Sequence, residues 1–103
     1  MGDEVKIVLV GEVDLANAGP LEEALAQVID TKPVSVIIDL AQLSFLDSSG
    51  IRCLVNAARG ASAVGGHLVV RYPTPTILRA LQICGVDELL LYDGSRENAP
   101  PGD

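Results

Sequence analysis

Ser44 to Val55 reads Ser-Phe-Leu-Asp-Ser-Ser-Gly-Ile-Arg-Cys-Leu-Val, which sets an aspartate, two serine hydroxyls and a glycine between apolar stretches. Asp47-Ser48-Ser49-Gly50 can do two kinds of chemistry. A short polar side chain at a helix start accepts a hydrogen bond from an unpaired backbone N–H, worth ~1 kcal/mol, and Asp47 or Ser48 suits that role. Only one residue is needed for it, yet three polar residues stand together. A serine at the same place can also accept phosphate. Helix starts gather free N–H groups and about half a unit of positive charge, which favours an anion. Phosphate on Ser49 adds ~1.5 to 2 negative charges, which that dipole tolerates locally and Asp47 opposes. Fold stability then changes little while the surface changes greatly, as a switch requires.

Other chemistries find less support. A hydrolase nucleophile needs an activating base, and His67 is the only histidine. The strained Gly-x-Ser-x-Gly elbow is absent, because Asp47 stands where Ser49 would need its first glycine. Glu22-Glu23 and Asp87-Glu88 are sequence neighbours that point apart, so neither forms an acid/base pair. His67, Cys53 and Cys84 lack metal-ligand spacing. Gly60 to Gly66 lacks the Gly-Lys-Ser/Thr ending of a phosphate loop and reads as a helix exit. No catalysis, metal or cofactor is expected.

The elements that must hold Ser49 alternate. Val5 to Val10 is a strand ending at Gly11. Gly19-Pro20 opens a helix whose Leu21, Leu25, Val28 and Ile29 share one face, with Glu22 and Glu23 near its positive end. Val34 to Leu40 is nearly all apolar, like a strand buried on both faces of a parallel sheet. A second helix begins at the serines, with Ile51, Leu54, Val55 and Ala58 on one side and stops at Gly60 or Gly65-Gly66. His67 to Tyr72 is a third strand. Thr74-Pro75 caps a third helix striped by Ile77, Ala80, Leu81 and Cys84 and ended by Gly85. Leu89 to Tyr92 is a last short strand. Right-handed crossovers make such strands mostly parallel, so the expected fold is α/β: one small, mostly parallel or mixed sheet with helices packed against it.

The 103 residues make one domain, set at 1–93, and residues 94–103, with Pro100-Pro101 and few apolar side chains, are expected to be a disordered tail. Folding hides about 65% of the surface of a chain this size. Only Phe45, Tyr72 and Tyr92 are aromatic, so the core is aliphatic. Fourteen acidic against seven basic residues give a formal charge of −7, a poor match for nucleic acid or anionic membrane. No apolar run approaches the ~18 residues of a membrane span, and the N-terminus lacks a secretion signal, which implies a cytoplasmic chain. Cys53 and Cys84 both fall on apolar helical positions and are expected to be buried, reduced thiols.

"VIIDLAQLSFLDSSGIRCLV" together with "GEVDLANA" (Gly11 to Ala18) resembles the bacterial anti-sigma-factor antagonists, whose fold is the STAS domain. The likeness runs from about Val5 to Tyr92. It implies a four- or five-stranded sheet and a partner, an anti-sigma factor that is also a serine kinase, whose capture frees the sigma factor for transcription. It implies phosphorylation of the serine before the glycine, here Ser49 with Ser48 as runner-up, with release of the partner and restoration by a serine phosphatase. Ser48 is then chiefly the cap. The contact surface implied is Glu12, Asp14, Asp47, Ser48, Ser49 and Gly50, and Arg52, one turn into the helix beside Ser49, is placed to assist docking. Read without the resemblance, Glu12 and Asp14 are a polar strand end and Arg52 a solvated arginine. The family usually adds an N-terminal strand, for which only four residues precede Val5, and a closing helix, for which Pro100-Pro101 leaves little room. A homodimer is left open. The alternative is a STAS-type scaffold of a transporter or lipid-transport assembly with no phosphoswitch.

Overall fold

The structure, a computed structural model, describes residues 3–94. The tail expected at 94–103 therefore lies, apart from Gly94, outside the described residues. Strand β1 (Glu4–Val13) leads to helix α1 (Ala18–Asp30), and strand β2 (Ser35–Leu46) to helix α2 (Ser48–Ala63). Strand β3 (His67–Arg71), helix α3 (Pro75–Ile83), a 3-10 turn over Asp87–Leu89 and strand β4 (Leu91–Asp93) follow. The sheet order is β1-β2-β3-β4, and every described pairing is parallel. This is the expected α/β domain, with four strands and three helices.

Strand alternation sets the core. Val36, Ile38 and Leu40 of β2, with Leu68 and Val70 of β3, join Leu25 and Ile29 of α1, Leu54 of α2 and Leu81 of α3 in one cluster. Ile37 and Asp39 point the other way, where the Lys6 Nζ lies 3.8 Å from Asp39 Oδ2. Every residue from Ser35 to Leu40 is buried, in line with the apolar run.

Both of the first two strands outrun their expected limits. Against β1, β2 gains one residue between Asp39 and Gln42 and another between Leu43 and Phe45. These bulges shift the inward positions from every second to every third residue, so Leu43 and Leu46 stay buried after Leu40. Side chains satisfy the displaced backbone: Asp39 Oδ1 accepts from the Ala41 N–H at 2.9 Å, and Ser44 Oγ donates to the Gly11 carbonyl at 2.9 Å. Gly11 does not end β1. It takes φ +92 within the strand, beside the second bulge, where a side chain would be strained.

The helix ends follow local chemistry. Thr74 Oγ1 accepts from the Ile77 N–H at 3.2 Å, with Pro75 in the first turn, and Gly85 turns the chain out at φ +73, all as expected. Helix α2 runs past Gly60 to Ala63. The expected burial of Cys84 is overturned: α3 ends at Ile83, so Cys84 leaves the apolar stripe and is exposed, while Cys53 is buried.

Candidate functional site

The site stands at the C-terminal ends of β1 and β2, where parallel α/β sheets present their loops. Its hub is Asp47. The Asp47 N–H donates to the Val13 carbonyl at 3.1 Å, which locks the two strand ends together. Its Oδ1 accepts from the Ser49 N–H at 2.9 Å and the Gly50 N–H at 3.2 Å. Its Oδ2 accepts from the Leu15 N–H at 3.1 Å, across to the β1–α1 loop. Asp47, and not Ser48, is thus the cap of α2, because its longer reach serves helix and loop at once.

The β1–α1 loop is held by an asparagine that sequence reasoning missed. Asn17 Oδ1 accepts from the Asp14 N–H at 2.8 Å, while its Nδ2 donates to the Glu12 carbonyl at 2.9 Å. That use of its side chain leaves α1 without a side-chain cap. Asp14 Oδ1 closes a smaller turn on the Ala16 N–H at 3.0 Å. Asp-Leu-Ala-Asn is the visible signal, since Asp and Asn readily bond to backbone nearby in turns. Leu15, also missed, projects from this loop 77% exposed, an apolar side chain free to meet a partner.

Ser48 is exposed and Ser49 half-buried. No buried polar side-chain atom among the described residues lacks a partner, and Ser49 Oγ makes no hydrogen bond there, so that hydroxyl is open to solvent. Ser49 lines a cavity of about 240 Å³ with Leu15, Ala18, Glu22, Arg52 and Cys53. Arg52 is exposed, one turn into α2. The Cys53 thiol donates to the Ala18 carbonyl at 3.4 Å, and burial, then the Glu22 charge, raises its pKa above the ordinary thiol value. It stays a protonated packing group.

Gly50 is buried, and a Cβ there would collide with Leu46 and come 2.7 Å from Val13 Cγ1. The glycine lets α2 start tight against both strand ends. Of the seven expected contact residues, Glu12, Ser48 and Arg52 are exposed, and Asp14 and Ser49 half-buried. Asp47, its oxygens engaged, and Gly50, covered, support the site from beneath.

His67 pairs with Ser35 at the opposite, N-terminal end of the sheet, so it cannot activate Ser49. No group of three His, Cys, Asp or Glu side chains among the described residues could hold a metal ion. No described helix is long and apolar enough to cross a membrane.

A parallel four-stranded sheet carrying Asp-Ser-Ser-Gly at the start of its second helix defines a class, and the comparisons agree with it. The STAS family described as "Mlab, STAS domain" matches residues 1–92, and this chain belongs to that family. BtrV of Bordetella bronchiseptica is 33% identical over 91 residues, 88% of this chain and 78% of that protein. The anti-sigma F factor antagonist of Lysinibacillus sphaericus is 31% identical over 98 residues, covering 94% and 83%. Among solved structures, the anti-sigma factor antagonist SpoIIAA in its unphosphorylated form matches with TM-score 0.77 and 26% identity over 94% of this chain and 85% of that one. The phosphorylated form of the Bacillus cell fate determinant SpoIIAA matches with TM-score 0.70 and 26% identity, covering 94% and 88%.

Proposed function

We propose that this chain is an anti-sigma-factor antagonist, a binding protein and not an enzyme, and that phosphorylation of Ser49 releases its partner. One observation carries the reading. The Ser49 hydroxyl is unbonded and open to solvent at the mouth of α2, while its backbone N–H is already capped by Asp47. Phosphate can therefore be added without breaking a contact that holds the fold. The family, the antagonist relatives and a related fold solved both with and without phosphate support the same conclusion.

The partner is an anti-sigma factor with serine kinase activity, which binds ATP, transfers its γ-phosphoryl group to the Ser49 oxygen and releases ADP, so this chain needs no cofactor. Binding to it frees the sigma factor, and a serine phosphatase resets the switch in the cytoplasm. Glu12, Asp14, Ser48, Ser49 and Arg52 form the contact surface over Asp47 and Gly50. Phosphate on Ser49 adds charge and bulk in the centre of that surface, and a docked protein has no room for it.

Titration of the full chain against serine-kinase anti-sigma factors tests this. Ser49→Asp loses binding, and Ser49→Ala keeps it but is no longer released by ATP. Equal affinity of the two variants refutes the switch. Mass spectrometry after incubation with partner and ATP places the phosphate on Ser49, and phosphate on Ser48 instead refutes that assignment.

A further inference from the structure

Helices α1 and α2 leave a groove of about 320 Å³ between them, floored by Leu25, Ile29 and Ala57 and edged by Glu22 and Asp30. It is open because its walls are small. Ala26 faces it from α1 and Gly60 from α2, where a Cβ would already touch Ile29 Cδ1 at 3.4 Å. The groove shares Glu22 and Cys53 with the cavity beside Ser49, so the two adjoin.

Its charge is one-sided. The only ionic side chains on its edges are Glu22 and Asp30, and α1 contains no lysine or arginine. Neither carboxylate forms an ion pair among the described residues. Asn56 Nδ2 donates to Glu22 Oε2 at a long 3.5 Å, and Arg52 lines the neighbouring cavity beside Ser49 rather than the groove. The two carboxylates stand eight positions apart, about 12 Å along the helix axis.

We infer that this groove receives a basic amphipathic helix of the partner. The helix seats one or two aliphatic side chains between two cations about two turns apart, one opposite Glu22 and the other opposite Asp30. An acidic segment is rejected by both carboxylates, and a second copy of this chain brings a formal charge of −7 to the same edge. The identity of the partner rests on the antagonist reading, but the chemistry of the groove does not.

Two measurements on the full chain separate the two ideas. The first follows amide chemical shifts during titration with a synthetic amphipathic peptide of about five turns, leucines along one face and lysines beside them. The same peptide with glutamates in place of lysines is the control. The lysine peptide shifts amides from Leu25 to Asp30 and from Cys53 to Gly60, and the glutamate peptide does not. Asp30→Lys combined with Glu22→Lys, both on exposed positions, weakens the lysine peptide roughly tenfold. Shifts that fall elsewhere, or that are alike for both peptides, overturn the inference.

The second measures affinity for the serine-kinase anti-sigma factor. A partner that binds the unmodified chain and the doubly reversed variant equally well overturns the groove and leaves the antagonist reading standing. A partner that fails to bind the unmodified chain, while the lysine peptide still maps to the groove, overturns the antagonist reading and supports the groove.

Discussion

Asp47 does the work of several residues. Its carboxylate accepts three backbone N–H groups, two in α2 and one in the β1–α1 loop, while its own N–H closes β1 onto β2. Asp47→Ala leaves those three donors without a partner, and a lost cap alone costs about 1–2 kcal/mol. Urea unfolding reads that loss, and Asp47→Asn, which keeps an acceptor oxygen, recovers part of it. Asp47→Ala also loosens the loop that carries Leu15, so amide exchange at Leu15 quickens more than at the core strands. The sequence made the serines legible because a polar triplet before a glycine is conspicuous. It favours Ser48 as the cap once Ser49 is given the phosphate, and the structure gives that role to Asp47, because both types suit a helix start and only the position of the loop decides between them. Asn17 escaped notice for a similar reason: its partners, Glu12 and Asp14, meet it only once the turn has formed.

Among the elements, helices were the easier part. Thr74-Pro75 and Gly85 bracket α3 because capping chemistry is local to a few residues. The sequence pattern predicts β1 and β2 too short because a two-residue period cannot express a bulge. The inward residues Val36, Ile38, Leu40, Leu43 and Leu46 change spacing midway, and Gly11 imitates a strand end. The helical period that places Cys84 on the apolar stripe continues past the end of α3 at Ile83. Gly11 tests this account. Its φ of +92 carries a backbone cost for any side chain, although the space around it is empty. Gly11→Ala therefore costs about 1–2 kcal/mol in urea unfolding through the backbone alone. Gly19→Ala, with equal room in the first turn of α1 and no positive φ, is neutral or stabilising by up to about 1 kcal/mol.

On the scale of the whole molecule, the formal charge of −7 shapes encounters before any contact forms. With a basic partner face, attraction speeds association at low salt and fades as the screening length falls from about 10 Å at 0.1 M to about 3 Å at 1 M. Stopped-flow mixing with the anti-sigma factor proposed as its partner therefore gives an association rate that drops roughly tenfold or more across that range, with a much smaller change in dissociation. An association rate indifferent to salt contradicts a charge-steered encounter. Strand order also equals chain order. Each strand is laid down beside the one synthesised just before it, so the domain can grow sideways as it leaves the ribosome, without waiting for a distant segment. The residues that build the mouth carrying Ser49, in β1, β2 and the start of α2, all precede β3 and β4 in the chain.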